Sequence, residues 1–265
     1  VRLGMFVERI GDYAFSSSAS LERISFDSAL KEIGDGAFLS CSLLRELTIP
    51  ETVSSIGEGA FMGCSSLKSI SLPASVKNIS AQAFNSCAAL ESITLSEGIE
   101  VISESAFLAC RSLKQINLPE SLKEIEPLAF SGCTLLSEIT VPAGVQKLSE
   151  SAFFGCSSLK KCTVKAENPY YSSDSGAVIS VNDGRLLFFP EASEMSEYVA
   201  PSYVKELAEA AFKNAKNLKS VELPKTVKII GKEAFFNANK LETLNIPSDV
   251  MHIGGYAFNY TPYYE

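Results

Sequence analysis

An Ala-Phe pair returns every 23 residues along this chain. Its phenylalanine stands at Phe15, Phe38, Phe61, Phe84, Phe107, Phe130 and Phe153, then after one interruption at Phe212, Phe235 and Phe258. A fixed period of this length marks a repeat architecture, in which each unit is completed only by its neighbours.

Comparing the copies separates inward from outward positions. Five residues before each phenylalanine stand Ile10, Ile33, Ile56, Ile79, Ile102, Ile125, Leu148, Leu207, Ile230 and Ile253. Eight before stand Val7, Leu30, Val53, Val76, Ile99, Leu122, Val145, Val204, Val227 and Val250. Neither column accepts a polar residue, while the positions between them take Lys, Glu, Ser and Asn freely. Within one unit, Leu67-x-x-Ile70-x-Leu72 ends in the period-two alternation of a short, half-buried strand. Pro73 then ends it, as do Pro50, Pro119, Pro142, Pro224 and Pro247 in their units, because proline brings no N–H to a ladder. The Ala-Phe-x-x-Cys segment has the i, i+3 spacing of one helical turn. Each unit is therefore expected to be a strand, a turn, a short extended segment and a helical turn, which together make an α/β solenoid coil one period long.

Composition removes several classes of function. The 265 residues are 46% hydrophobic and 20% charged, enough apolar matter for a core. Asp and Glu number 31 against 23 Lys and Arg, a net charge of −8, and no basic run exceeds two residues. Nucleic acid is therefore not an expected partner. No apolar run approaches the roughly 20 residues that span a bilayer, so no membrane span is expected. Val1 falls inside a repeat, so the N-terminus reads as trimmed, and the lack of a leader carries no information about compartment.

The pattern Leu-x-x-Ile-x-Leu-Pro-x-x-Val-x-x-Ile-x-x-x-Ala-Phe-x-x-Cys resembles the BspA-like leucine-rich repeat, also called the Treponema pallidum type, over nearly the whole chain. The resemblance implies a right-handed solenoid with the Leu-x-x-Ile-x-Leu strands in a parallel sheet on the concave face. It also implies a bacterial protein that is extracellular, secreted or attached to the cell surface, whose protein partner is a host matrix component or another surface protein. The family has no shared catalytic residues to carry over. A single solenoid over residues 1–265 is expected, with one inserted element.

That insert follows Phe153. One period further on falls Gly176, but the next phenylalanine of the Ala-Phe column is Phe212. Cys162-Thr-Val164 and Tyr198-Val-Ala200 both fit the strand frame, so the extra residues fall at about 165–196. Within them Ala177 to Val181 and Arg185 to Phe189 flank Asn182-Asp183-Gly184, a β-hairpin signal. Asn168-Pro169-Tyr170-Tyr171 and Leu186 to Pro190 resemble an insert of the same family, although Asp174-Ser175-Gly176 departs from its Asp-Gly turn. Two readings stay open: a hairpin packed on neighbouring coils that widens the sheet, or a projection whose Tyr170 and Tyr171 meet a partner.

The residues that could carry chemistry read as structural. Six of the seven cysteines, Cys41, Cys64, Cys87, Cys110, Cys133 and Cys156, share one column with Ser18, Ala215, Ala238 and Thr261. Small size is the common property, and buried free thiols fit it, although neighbouring coils could also be bridged. No Cys-x-x-Cys pair is present for zinc, the acidic residues lack EF-hand spacing, and His252 is the single histidine. Gly34-Asp-Gly36 and Gly57-Glu-Gly59 recur with the coil bend and read as turns. No catalytic residue, metal or cofactor is expected, and the chain reads as a non-enzymatic binding scaffold. An architectural spacer is the alternative.

A binding surface is then sought on the outward strand columns. These carry Ser25, Thr48, Ser71, Thr94, Asn117, Thr140, Thr163, Val199, Glu222 and Asn245, flanked by a second column from Arg23 to Thr243. Small polar residues suit any solvated strand face. The stretch nearest the insert, Gln115, Asn117, Glu138, Thr140, Lys161 and Thr163, is the candidate partner-binding strip, together with Tyr170 and Tyr171. At the C-terminal end Tyr256, Tyr260, Tyr263 and Tyr264 are expected to cover the last coil.

Overall fold

The alternating segments become strands whose apolar residues all turn to one side. In Ser69–Leu72 the serines are exposed while Ile70 and Leu72 are buried, and Glu138–Val141 repeats the pattern. The computed structural model describes residues 1–27 and 29–262. It divides into two compact units: Val1–Leu136 with Gly144–Cys156, and Ser137–Ala143 with Ser157–Glu265. Both are built of solenoid turns one repeat long, each strand lying parallel to its counterpart in the next turn.

Within each unit most turns contribute to two rows of strands. The first row holds Ser69–Leu72 paired with Ser92–Leu95 in the first unit. In the second unit it holds Glu138–Val141 with Lys161–Val164, and separately Glu197–Val199, Ser220–Glu222 and Thr243–Asn245 in succession. The row is not one continuous sheet, for no ladder is formed at residues 114–118. The second row consists of two-residue strands centred on the isoleucine column. Arg9–Ile10, Glu32–Ile33 and Ser55–Ile56 make one ladder, and Asn78–Ile79, Val101–Ile102, Glu124–Ile125 and Lys147–Leu148 another. Between them the Ser80 hydroxyl donates to the Ile56 carbonyl at 2.6 Å, where Gly57 and Ser103 use their backbone N–H.

The Ala-Phe segment is not helical, and no α-helix occurs among the described residues. It is a chain of overlapping reverse turns. Ala37, Leu39 and Cys41 donate N–H groups within the coil to Gly34, Gly36 and Phe38. The intervening Gly36, Phe38 and Ser40 donate instead to Glu58, Ala60 and Met62 of the following coil, at 2.7–2.8 Å. A helix would keep all six bonds inside one coil. Sending alternate N–H groups forward requires a left-handed residue at every fourth position, here Gly36 (φ 54°) and Ser40 (φ 59°). Other coils place Leu128 or Ala109 there, although left-handed geometry costs an L-residue about 1–2 kcal/mol. The forward hydrogen bonds hold them in place.

Inside the turns the phenylalanines stack on one another. From Phe15 to Phe153 successive ring centroids lie 5.3–5.5 Å apart and within 10° of parallel. The second unit continues the motif through Phe189, Phe212, Phe235 and Phe258. Phe189 joins this column one repeat before Phe212, although Phe188, not alanine, precedes it.

All seven cysteines are free and buried. In the repeat column each thiol also donates to the preceding coil's phenylalanine carbonyl: Cys64 Sγ to Phe38 O at 3.2 Å, Cys110 Sγ to Phe84 O at 3.1 Å. The six cysteines thus add a donor to small size, while Ala215 and Ala238 fill the column by size alone. Hydroxyls play a similar part elsewhere, as Thr52, Ser121 and Thr226 donate to Leu30, Ile99 and Val204 of the coil before.

The insert is a three-stranded meander. Tyr171–Asp174 pairs antiparallel with Ala177–Ser180, and that strand with Arg185–Phe188. Ser175 (φ 52°) and Gly176 (φ 90°) form the two-residue turn with both residues left-handed, the geometry that matches strand twist. Arg185–Phe188 then runs parallel to Glu206–Leu207, with Arg185 beside Glu206, a slightly shorter step than one repeat. The meander thus widens the row of short strands, which continues through Ile229–Ile230 to His252–Ile253. At the C-terminal end Tyr256 and Tyr260 are 64% and 71% exposed, and the Tyr260 ring meets Phe236 edge-on at 5.2 Å between centroids. Tyr263 and Tyr264 lie outside the described residues.

Two expectations follow from the turns and the thiols. Ala109→Gly relieves a left-handed alanine and should stabilise the fold by about 0.5–1 kcal/mol, whereas Gly132→Ala, one coil later, should destabilise it by a similar amount. Urea midpoints read both. Burial pushes the Cys87 and Cys133 thiols up to about 12, and those of Cys64, Cys110 and Cys162 in the same direction. A folded thiol then keeps the proton that an unfolded one loses above about pH 8.5, so stability falls as pH rises past that value. The loss approaches about 1.4 kcal/mol per pH unit per buried thiol. The drop in urea midpoint between pH 7.5 and pH 9.5 should shrink in a Cys87→Ala/Cys133→Ala variant.

Candidate functional site

The strand row of the second unit brings four of the candidate residues together. Glu138 lies beside Lys161 and Thr140 beside Thr163 in the parallel register of Glu138–Val141 and Lys161–Val164. Glu138, Thr140 and Lys161 are exposed and Thr163 is half-buried, because the intervening Ile139, Cys162, Val141 and Val164 take the inward positions. Opposite charges meet in one pair and β-branched hydroxyls in the other, both favourable cross-strand neighbours. Beside them Lys160 Nζ and Glu194 Oε1 form an ion pair at 2.7 Å, whose hydrogen bond raises the lysine pKa and lowers that of the carboxyl.

The meander begins against this strip. Val164 N donates to Ser173 Oγ at 3.0 Å, and a Cβ on Gly176 would lie 3.5 Å from Lys161 Cα. Its turn therefore sits on the backbone of the strip. Tyr170 and Tyr171 stand at the other end of the strand Tyr171–Asp174, roughly 10 Å along at about 3.3 Å per residue. Asn168 positions them: buried, it accepts both their N–H groups on Oδ1 at 2.8 and 2.9 Å, while Nδ2 donates to Pro142 O at 3.0 Å. Both tyrosines are half-buried.

Two residues that the repeat pattern did not single out join them. Val181 N donates to the Tyr170 carbonyl at 2.8 Å, and its side chain is 46% exposed. Tyr203, 44% exposed, places its hydroxyl 3.2 Å from Ser172 Oγ. A Cβ on Gly184 would lie 2.4 Å from the Tyr203 carbonyl, so the second turn of the meander closes onto that backbone. The available signal was positional: Tyr203, like Phe6, is an aromatic member of a column that holds Thr52, Ser75, Ser121 and Thr226 elsewhere. Beneath the meander Tyr198 is buried, and burial, then the nearby Asp174 carboxylate, push its hydroxyl pKa up. Gln115 and Asn117 are exposed in the first unit, within the segment that forms no ladder.

The exposed groups offer hydroxyls, aromatic rings and one pair of opposite charges. All seven thiols are buried, and burial raises the pKa of Cys41, Cys64, Cys87, Cys110, Cys133 and Cys162, which suppresses the nucleophilic thiolate. Among the described residues no group of three or more His, Cys, Asp or Glu side chains is placed to hold a metal ion. No helix among them is long and apolar enough to cross a membrane.

Comparison with known proteins places this geometry. A sequence profile of the BspA type leucine rich repeat region matches residues 2–114, 77–175 and 187–265. No curated protein matches the chain in sequence. Among solved structures, a leucine rich cell surface protein from Faecalibacterium prausnitzii is similar at 27% identity and a TM-score of 0.82, over 96% of this chain and 71% of that one. A leucine-rich repeat protein from Bacteroides ovatus is similar at 26% identity and a TM-score of 0.64, over 98% and 75%. The pneumococcal vaccine antigen PcpA shares the fold at 23% identity and a TM-score of 0.60, over 94% and 60%. The repeat columns, the stacked parallel turns and the matched profile agree: this chain belongs to the BspA-type leucine-rich repeat family.

Proposed function

We propose that this chain is a non-enzymatic protein-binding scaffold of a secreted or surface-attached bacterial protein, contributing to adhesion. Its partner is a host matrix protein or another surface protein. The observation that carries the reading is the group of Tyr170, Tyr171, Val181 and Tyr203 at one end of the meander, held by Asn168 and by two backbone-close turns. Tyrosine supplies large contact area with little rotamer entropy to lose, and such residues dominate interface energetics. Glu138, Thr140, Lys161 and Thr163 add a polar strip in the same unit, and Gln115 and Asn117 carry the same columns in the first unit. Surface location is supported by the similarity to the F. prausnitzii cell surface protein.

Surface-immobilised chain, challenged with purified fibronectin, laminin and collagen and with bacterial surface extract, tests the proposal. At least one component should be retained. Tyr170→Ala/Tyr203→Ala should weaken that binding by about tenfold or more, as expected for anchor residues, with an unchanged unfolding midpoint. Retention of nothing, or equal binding by the double variant, counts against the scaffold reading and favours a spacer.

A further inference from the structure

A second recognition feature lies on the turn side of the first unit, and it stands independently of the surface proposed above. In the column two residues before each phenylalanine, successive coils carry Tyr13, Gly36, Gly59 and Gln82. The paired glycines leave a cleft of about 220 Å³ between the tyrosine and the glutamine, lined also by Leu39, Met62, Asp35 and Glu58. A Cβ on Gly36 would lie 2.4 Å from the Tyr13 ring, so that ring leans into the space the glycine vacates. Gly59 has only Met62 within 4 Å of the same position. Small-molecule sites run to roughly 300–1,000 Å³, so this cleft is sized for one side chain.

Several carboxylates of this unit are neutralised by a cation one repeat away, as Glu8 is by Lys31, Glu100 by Lys123 and Glu124 by Lys147, at 2.8–2.9 Å. One repeat after Asp35 comes Glu58, and next Ala81. Asp35 Oδ1 accepts the Glu58 N–H at 2.8 Å, and Glu58 Oε1 meets Gln82 Nε2 at 3.4 Å. Among the described residues neither carboxylate forms an ion pair with Lys or Arg. A shallower cleft of about 530 Å³ reaches the same two acids from the other side, over Ser55, Asn78, Ser80 and Ser103. Two carboxylates thus stand between an aromatic-walled slot and a polar shelf.

We propose that this slot takes an arginine or lysine side chain from a basic, extended segment of a partner protein. The cation would meet the Tyr13 ring and the two carboxylates, with Leu39 and Met62 against its aliphatic stem, while the shelf offers hydroxyl and amide groups to the partner's main chain. Because Asp35 and Glu58 are exposed, the attraction is screened by salt.

Fluorescence anisotropy with a fluorescein-labelled peptide, Gly-Arg-Gly-Arg-Gly-Arg-Gly, tests this against the same peptide with glutamine for arginine. The arginine peptide should bind and weaken with added salt, and the glutamine peptide should not bind. Asp35→Asn/Glu58→Gln should weaken binding by about tenfold, and Tyr13→Ala by about two- to fivefold. Gly59→Asn, an αL-tolerant residue, fills the slot without changing charge and should weaken binding as the tyrosine variant does. Glu22→Gln/Glu51→Gln removes equal charge from elsewhere in the unit and should leave affinity unchanged. Equal loss in that control, no loss in Tyr13→Ala, or binding of the glutamine peptide would overturn the proposal. Tyr13 is 60% exposed, so its variant carries the test even if Gly59→Asn fails to fold.

Discussion

The forward hydrogen bond from one turn to the next is the constraint on which the rest of each unit depends. Phe38 N to Ala60 O and Ser40 N to Met62 O tie the buried corner of a coil to its successor. Those bonds exist only if alternate amides rotate out of the coil, which demands two left-handed residues per repeat. The same rotation puts the phenylalanines of a unit above one another, and each thiol of the repeat column within reach of a carbonyl it can donate to. Backbone polarity, aromatic stacking and thiol placement are three outcomes of one local geometry.

Ion pairs one repeat apart add little energy but much register. Exposed pairs such as Glu100–Lys123 contribute about 0–1 kcal/mol each. A slip of one residue would nevertheless turn each apolar column toward water and separate these charges together. At Asp35 and Glu58 acid follows acid one repeat apart, so no such pair forms between them.

Much of this was legible in the columns. The isoleucine and valine positions that never turn polar are buried except in the end coils, at Val7, Val250 and Ile253, and Asn182-Asp183-Gly184 does join two strands. What stayed hidden was conformation that residue type does not announce. Leu128 and Ala109 adopt left-handed geometry without a glycine to signal it, so the corner read as helical. The thiols read as small apolar fillers because a hydrogen bond to the preceding coil has no sequence mark. Phe189 belongs to the phenylalanine column but lacks its alanine, which hid the register of the meander. The interruption of the ladder at residues 114–118 falls where the repeat pattern is unbroken. The pairing of Glu138 with Lys161 and of Thr140 with Thr163 on one strand face follows from their column positions alone. The placing of Tyr203 and Val181 does not, since only the close approach of Gly184 brings the chain segments together.

Stacking like upon like makes each coil answer to two neighbours, so any side chain in an inward column is judged at both its upper and its lower surface. Gaining or losing a single residue between two inward columns of a regular coil would misalign that coil with its neighbours, whereas adding or removing a whole period leaves every contact type intact. Such an architecture is free to vary in length by complete repeats and to acquire side excursions such as the meander. It is almost closed to small insertions anywhere else.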